Sequence, residues 1–266
     1  MIRSKRGRAW DRTLPWIIPG AGLLLWFAVS GTEIVPSYLL PSPKDVLAAA
    51  TVYIFKGTGH GAYAGRFLED LLASSTRVFL GFGLAVVVGI PLGIISGRLA
   101  RVSRLLSTTI NALRAVPGIS WLPLAMVWFG IGMKTTVFLV ALAAFFPIYL
   151  NAETGARQVN PILLQAGAMM GVRRLRGTFS ILLPAAMPHI ITGLRLGMGI
   201  SWAYLVLGEL TGVPNGLGAV IMDARMLGRI DIIVVGIILI ALIGRICDIG
   251  LYQLLRIGFK SARRMQ

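Results

Sequence analysis

The 266-residue chain has few of the residues that carry chemistry. It contains one cysteine, Cys247, and two histidines, His60 and His189. A single cysteine excludes an internal disulfide and any cysteine-rich metal site, and two histidines so far apart do not suggest zinc. Acidic residues number only 10 against 26 Lys and Arg. Charged residues make up 14% of the chain, where a soluble domain carries about 25%. There is no G-x-x-x-x-G-K-S/T run to cradle a phosphate, and no nucleophile, base and acid that could work together. The chain is therefore expected to be no enzyme, with no catalytic residue, metal or cofactor of its own.

What is abundant is apolar surface. The chain is 56% hydrophobic with a mean hydropathy of +0.79. Residues 13–32, 78–97, 115–133 and 135–152 are charge-free runs of 18 to 20 residues, close to the roughly 20 that cross a bilayer. The pattern predicts an all-α polytopic membrane protein with six transmembrane helices, near 14–32, 77–97, 110–130, 134–151, 190–209 and 230–250. The basic start feeds an apolar run too long for a cleavable signal, so the first span is expected to be retained.

A net charge of +16 raises the possibility of nucleic acid, but the basic residues sit in short segments between apolar runs. An inside start places seventeen of them on the cytoplasmic side: Arg3, Lys5, Arg6, Arg8 and Arg12, then Arg98, Arg101 and Arg104, then Arg157, Arg173, Arg174 and Arg176, and lastly Arg245, Arg256, Lys260, Arg263 and Arg264. Seven fall outside: Lys44, Lys56, Arg66, Arg77, Lys134, Arg225 and Arg229. This bias predicts both termini in the cytoplasm and lipid rather than nucleic acid as the surroundings. The organisation is a basic N-terminus, 1–13, and one membrane domain, 14–266, with a cytoplasmic loop at 152–189 and a basic tail.

Glycine and proline mark the spans. Gly89, Gly93 and Gly97 share one helical face, and Gly193 and Gly197 repeat the spacing. Such faces allow close helix approach, either inside the bundle or at a moving or subunit interface. Pro91, Pro117, Pro123 and Pro147 are expected to kink or interrupt helices. Arg114 either anchors at the interface or lies near a solute path. Glu209 reads as an ion pair or cap, or as a gate. Ser120, Trp121, Trp202 and Tyr204 complete the candidate path by location and type. No chain of buried carboxylates appears, so ion coupling is not indicated.

One segment fits neither span nor linker. In NPILLQAGAMMGVRRLRGTFSILLPAAMP, Asn160-Pro161 can start a helix, Gly171 breaks it, and a second helical piece is expected to stop at Pro184. Arg173, Arg174 and Arg176 would face water or an acidic groove, while Leu163, Leu164, Met169 and Met170 offer apolar contacts. The spacing Gln165-Ala166-Gly167, Gly171, Ile181, Leu183-Pro184 resembles the signature loop of bacterial ABC-importer permeases: EAA, three residues, G, nine residues, I-x-LP. Gln165 stands in place of the acidic residue and Gly167 in place of the second alanine.

Further stretches, among them LRAVPGISWLPLAMVWFGIG and NGLGAVIMDAR, look like the branch serving nitrate, taurine and aliphatic sulfonates, some members of which handle bicarbonate or pyrimidine precursors. The resemblance implies a multi-pass protein of the bacterial cytoplasmic (inner) membrane with the type I importer permease fold. It implies a second permease, most simply another copy, two ATPase subunits holding ATP and Mg, and an extracytoplasmic solute-binding protein that carries most of the specificity. Pro161, Leu164 and the following loop would couple to the ATPase. Aliphatic sulfonate or taurine is the first expectation, nitrate, bicarbonate or a pyrimidine precursor the alternative, and an ATP-independent channel a competing class.

Overall fold

In this computed structural model, residues 5–32, 35–36, 38–55 and 62–258 are described, and every regular element among them is helical. His60, Lys56 and the tail residues Lys260, Arg263 and Arg264 lie outside them, as do the side chains of the basic N-terminus and of Arg174. The helices are α1 Lys5–Gly31, α2 Pro43–Phe55, α3 Phe67–Arg98, α4 Ala100–Ala115, α5 Leu122–Phe129, α6 Met133–Arg157, α7 Pro161–Met169, α8 Arg174–Gly177, α9 Leu183–Glu209, α10 Leu217–Met226 and α11 Ile230–Gly258. A 3₁₀ turn, Gly118–Trp121, precedes α5, and a π-helical turn, Thr178–Leu182, joins α8 to α9.

The expectation of six spans is not met. Among the described residues, four helical stretches are long and apolar enough to cross a membrane: Phe67–Arg98, Met133–Arg157, Thr178–Glu209 and Ile230–Ile257. A fifth exists only if α4 and the Gly118–Phe129 segment, bent by 91°, count as one span. Pro117 causes that break: it sits between the two pieces in extended backbone, where α4 has already ended at Val116. In α1 the apolar stretch Ile17–Gly31 falls short of the length required. The placement of both termini in the cytoplasm rests on six crossings; four crossings still leave the two termini on one side, whereas five put them on opposite sides. Pro91 and Pro147, by contrast, remain inside the continuous helices α3 and α6.

The fold divides into two contact units, residues 1–67 with 220–237 and residues 68–219 with 238–266. In the first, Ser42 and Asp45 close a reciprocal cap at the start of α2, with Ser42 Oγ donating to Asp45 Oδ2 at 2.7 Å. The Trp26 indole donates to the Pro41 carbonyl at 3.1 Å, and Tyr53 packs edge-on to Phe67.

The second unit is organised on α6. A Cβ added at Gly93 of α3 would lie 2.6 Å from the Tyr149 carbonyl oxygen, and one at Gly89 would lie 3.1 Å from Ile148 Cγ2. Gly97 meets the Glu153 carbonyl in the same way. From the other side, Gly193 and Gly197 of α9 bring Asn151 Cβ and Ile148 Cγ1 within 2.7 and 3.0 Å of their would-be Cβ positions. Gly155 returns the arrangement by admitting His189. Polar contacts fix the register: Tyr149 Oη donates to Ser96 Oγ at 2.9 Å, and the Glu153–Arg157 pair holds Ser103 of α4.

The glycine faces give a direct test. Gly93→Val must push backbone against backbone and should cost about 1–3 kcal/mol, whereas Gly83→Val, with nothing within 4 Å of the added Cβ, should leave thermal unfolding in detergent nearly unchanged. Equal melting temperatures for the two variants would contradict the packing account.

Candidate functional site

The largest gathering of the sequence-predicted path residues is a cavity of about 490 Å³ in the second unit. The end of α4 supplies Arg114, the break supplies Pro117 and Gly118, the 3₁₀ turn supplies Trp121, and α9 supplies Ala203 and Tyr204; Ala143, Phe146, Pro147 and Leu150 of α6 form the wall. The 91° break is what creates the space, because it turns the chain out of the packing line before α5 resumes. Gly118 has no room for a side chain: its Cβ would fall on the Tyr204 hydroxyl and ring. The lining is apolar apart from the exposed Arg114, Trp121 and the Tyr204 hydroxyl. One cation in such a wall suits a small anion that needs few directional contacts.

The other path candidates lie elsewhere. Ser120 is exposed and does not border this cavity, and Trp202 is buried facing Gly244 of α11. Glu209 is fully buried, in an ion pair with Arg77 of α3 at 2.6 Å. Ser74 Oγ donates to its two carboxylate oxygens at 2.8 and 3.0 Å, and the Gly218 amide donates to Oε2 at 2.8 Å. Arg77 donates onward to the Asn215 carbonyl and side-chain oxygen at 2.7 and 2.8 Å. Asp70 accepts from the Gly216 amide at 2.8 Å, and Ser74 from Leu217 at 2.9 Å. The network therefore staples the Pro214-Asn215-Gly216 turn to α3. The sequence reading places Arg77 only as an outer-side charge at the start of a span, and it singles out neither Asp70 nor Ser74. The signal was an Asp-x-x-x-Ser-x-x-Arg spacing on one helical face just before an apolar run.

The basic loop has a defined shape. Asn160 caps α7 by accepting from the Ile162 amide at 2.9 Å, and Pro161 occupies the first turn, where no donor is lost. Gly171, at φ +80°, ends the helix; its amide donates to the Ala168 carbonyl at 3.0 Å, and the Val172 amide to Gly167 at 2.9 Å. Ile162, Leu163, Met169 and Met170 are exposed, as are Gln165, Arg173 and Arg176. Gly167 is buried where its Cβ would meet Ile181 Cδ1, so the departure from alanine fits the isoleucine of the same motif. Leu164, Ala166, Ile181 and Leu183 are half-buried. Pro184 does not stop a second short helix. It lies in the first turn of α9, where proline is tolerated, and the chain runs helically from Arg174 to Glu209 through the π turn.

In the first unit, a smaller cavity of about 330 Å³ lies beside Asp45, Tyr63, Arg229 and Asp231. Burial, with Asp223 nearby, pushes the Tyr63 phenol above its ordinary value. Among the described residues no group of three or more His, Cys, Asp or Glu is placed to hold a metal.

Two apolar spans, α6 and α9, border an open cavity, and a short capped helix opens the basic loop, an arrangement that suits a membrane transport subunit. Residues 89–256 match the family described as binding-protein-dependent transport system inner membrane component, and the chain belongs to it. It is 33% identical over 88% of its length, and 84% of the relative, to the taurine transport system permease protein TauC of Escherichia coli (strain K12). It is 34% identical over 79% of its length, and 76% of the relative, to the nitrate import permease protein NrtB of Synechocystis sp. (strain PCC 6803). Its fold matches a chain of the MetNI methionine ABC transporter in an inward-facing conformation, with a TM-score of 0.62 over 71% of this chain and 94% of the other at 18% identity. The protein is thus a non-catalytic, multi-pass permease subunit of the inner membrane, and its family implies a second permease, ATPase subunits and a solute-binding protein as working partners.

The buried staple is testable. Removing one partner of a buried pair costs about 3–5 kcal/mol, so Glu209→Gln or Arg77→Met should lower the unfolding midpoint strongly. The double variant should recover part of that loss; strict additivity of the two losses would argue against coupling between them.

Proposed function

We propose that this chain forms the translocation path of an ATP-driven importer for a small anionic solute, with an aliphatic sulfonate or taurine as cargo, working as a homodimer. The observation that carries the reading is the pairing of Arg114 with an otherwise apolar cavity beside Trp121 and Tyr204. A sulfonate combines a diffuse negative charge, which a guanidinium meets with several donors, and an apolar tail for the remaining wall. The similarity to TauC supports this choice. The similarity to NrtB keeps nitrate as the second reading, since a bare oxoanion would use the same cation without the wall.

Coupling is assigned to α7 and the Gly171 turn, with Gln165 and Arg173 at the edge of the contact. The exposed Leu163, Met169 and Met170 would fill an apolar groove on the ATPase, while Arg173 and Arg176 meet acidic residues at its rim. In the proposed cycle, ATP-driven closure of the ATPases moves α7, and hydrolysis resets it.

The deciding measurement is ATP-dependent uptake in proteoliposomes holding this chain, its ATPase and its binding protein, across taurine, alkanesulfonates, nitrate, bicarbonate and a pyrimidine precursor. Sulfonate uptake that needs both ATP and the binding protein is expected; passive flux through an intact complex would overturn the importer reading in favour of a channel. Gly171→Val forces a β-branched residue into positive φ, at a cost of about 1–3 kcal/mol. It should uncouple ATP hydrolysis from uptake while leaving membrane insertion normal, and normal uptake in that variant would remove α7 from the coupling role.

A further inference from the structure

Arg195 stands on α9 between Gly193 and Gly197, the two glycines that pack at Asn151 and Ile148 of α6. It is therefore level with Ile148 and Asn151, near the end of the charge-free stretch 135–152 of α6. Its Nε donates to Asp248 Oδ1 and its Nη2 to Asp248 Oδ2, both at 2.9 Å, and the guanidinium lies 4.9 Å from the centre of the Tyr252 ring. Arg245 donates to the same Oδ2 at 3.0 Å. Two cations and one anion leave a net charge of +1. The cluster is not buried: the Arg195 side chain is 41% exposed and that of Arg245 67%, against 16% for Asp248.

An exposed net charge on a helix long and apolar enough to span a membrane is costly wherever it meets lipid, and such groups face water, an aqueous path or another protein surface. Arg195 is clamped by two hydrogen bonds, so it does not swing away to the interface. Asp248 engages two of the five guanidinium donors, leaving the fork able to meet an oxoanion.

The space beside it fits that role. Thr192, Leu196, Gly199 and Ile200 of α9 and Gly244 of α11 border an open cavity of about 610 Å³. A Cβ at Gly199 would meet nothing within 4 Å. Ile200 also borders the Arg114 cavity, so α9 lines both spaces and Ile200 stands between them.

We propose that the Arg195–Asp248–Arg245 cluster is a second anion station on the translocation path. It receives a small oxoanion from the Arg114 cavity by way of the open face at Gly199. Asp248 fixes the orientation of Arg195 and offsets part of the positive charge, so that the anion is attracted without being held. The inference rests on the anion-import reading and adds a site to it.

The test uses the full complex with its ATPase and binding protein in phosphatidylcholine vesicles. A Gly199→Cys variant, in a Cys247→Ala background, is reacted with an anionic sulfonatoethyl and a cationic trimethylammonioethyl methanethiosulfonate. Relative to a free thiol, the anionic reagent should be favoured by about tenfold or more, and Arg195→Gln should erase the preference. Reaction with neither reagent would mean that the face is sealed by lipid or protein and would overturn the proposal, as would equal reaction with both. A preference that disappears in phosphatidylglycerol vesicles would assign the cluster to a lipid headgroup instead.

In transport, Arg195→Gln should lower uptake about tenfold or more, Arg195→Lys should recover part of it, and stimulation of the ATPase by loaded binding protein should persist. Uptake at the wild-type rate in Arg195→Gln would remove the station while leaving anion import standing. A wild-type complex that carries only uncharged solutes would overturn the anion reading itself.

Discussion

The close backbone approach of α3 and α9 to α6 is the constraint on which the rest of the 68–219 and 238–266 unit depends. Lipid chains are as apolar as leucine, so helices in a bilayer gain little from hiding apolar surface from water and associate through packing and polar contacts. Here the contact surfaces are Gly89, Gly93 and Gly97 on one side of α6 and Gly193 and Gly197 on the other. Neither set tolerates a side chain without moving backbone or a packed neighbour. Because α6 is held on both sides, its Ala143, Phe146, Pro147 and Leu150 present a fixed wall to the cavity.

Charge is handled in two ways inside this frame. Arg77 and Glu209 are both buried, and both carboxylate oxygens of Glu209 and both terminal nitrogens of Arg77 have hydrogen-bond partners. The desolvation cost of such a pair is offset only when the surrounding hydrogen bonds are complete, and Ser74, Asn215 and the Gly218 amide complete them. The consequence is structural: the turn between α9 and α10 is fixed to α3. Arg114, Arg195 and Arg245 are treated oppositely, with exposed cations and donors left over. Satisfied charges hold the fold, and the incompletely satisfied ones are the groups to which the proposed path assigns the solute.

The legibility of these features in the sequence follows their range. The glycine spacing, the Asn160-Pro161 start and the Gly171 stop of α7 depend on contacts a few residues away or on backbone conformation, and all three could be read directly. The Arg77–Glu209 pair links residues 132 apart in sequence, so no local pattern announced it, and Glu209 alone looked as much like a gate as an ion pair. The count of spans failed at Pro117 and in α1, whose apolar stretch Ile17–Gly31 is too short. Hydropathy continues smoothly through LRAVPGISWLPL, but the proline disfavours the helical backbone at its predecessor, and here one apolar run becomes two pieces. Pro184 misled in the other direction: the helical path continues through it, directly after the π turn Thr178–Leu182. The cavity beside Arg114 was only partly visible: Arg114, Trp121 and Tyr204 come together, whereas Trp202, two residues from Tyr204, points to the opposite side of α9.

The helical continuity from Arg174 to Glu209 joins these parts mechanically. The α9 helix alone has 27 residues and so spans about 40 Å, long enough to carry a displacement from the basic loop to the Glu209 staple. Its N-terminal connection is a π turn, a local widening of the helix that interrupts the regular i→i−4 hydrogen bonding and is frequent at functional sites. Gly167 of α7 presses on Ile181 inside that turn. In the proposed cycle a push on α7 therefore enters α9 at its most deformable point, while the far end is pinned to α3 by Glu209 and Arg77. A helix driven at one end and held at the other responds by rotation or bending between them. The stretch between carries Arg195, Gly199 and Tyr204, so movement of the coupling loop would change the width and charge of the solute path without any direct contact between ATPase and solute.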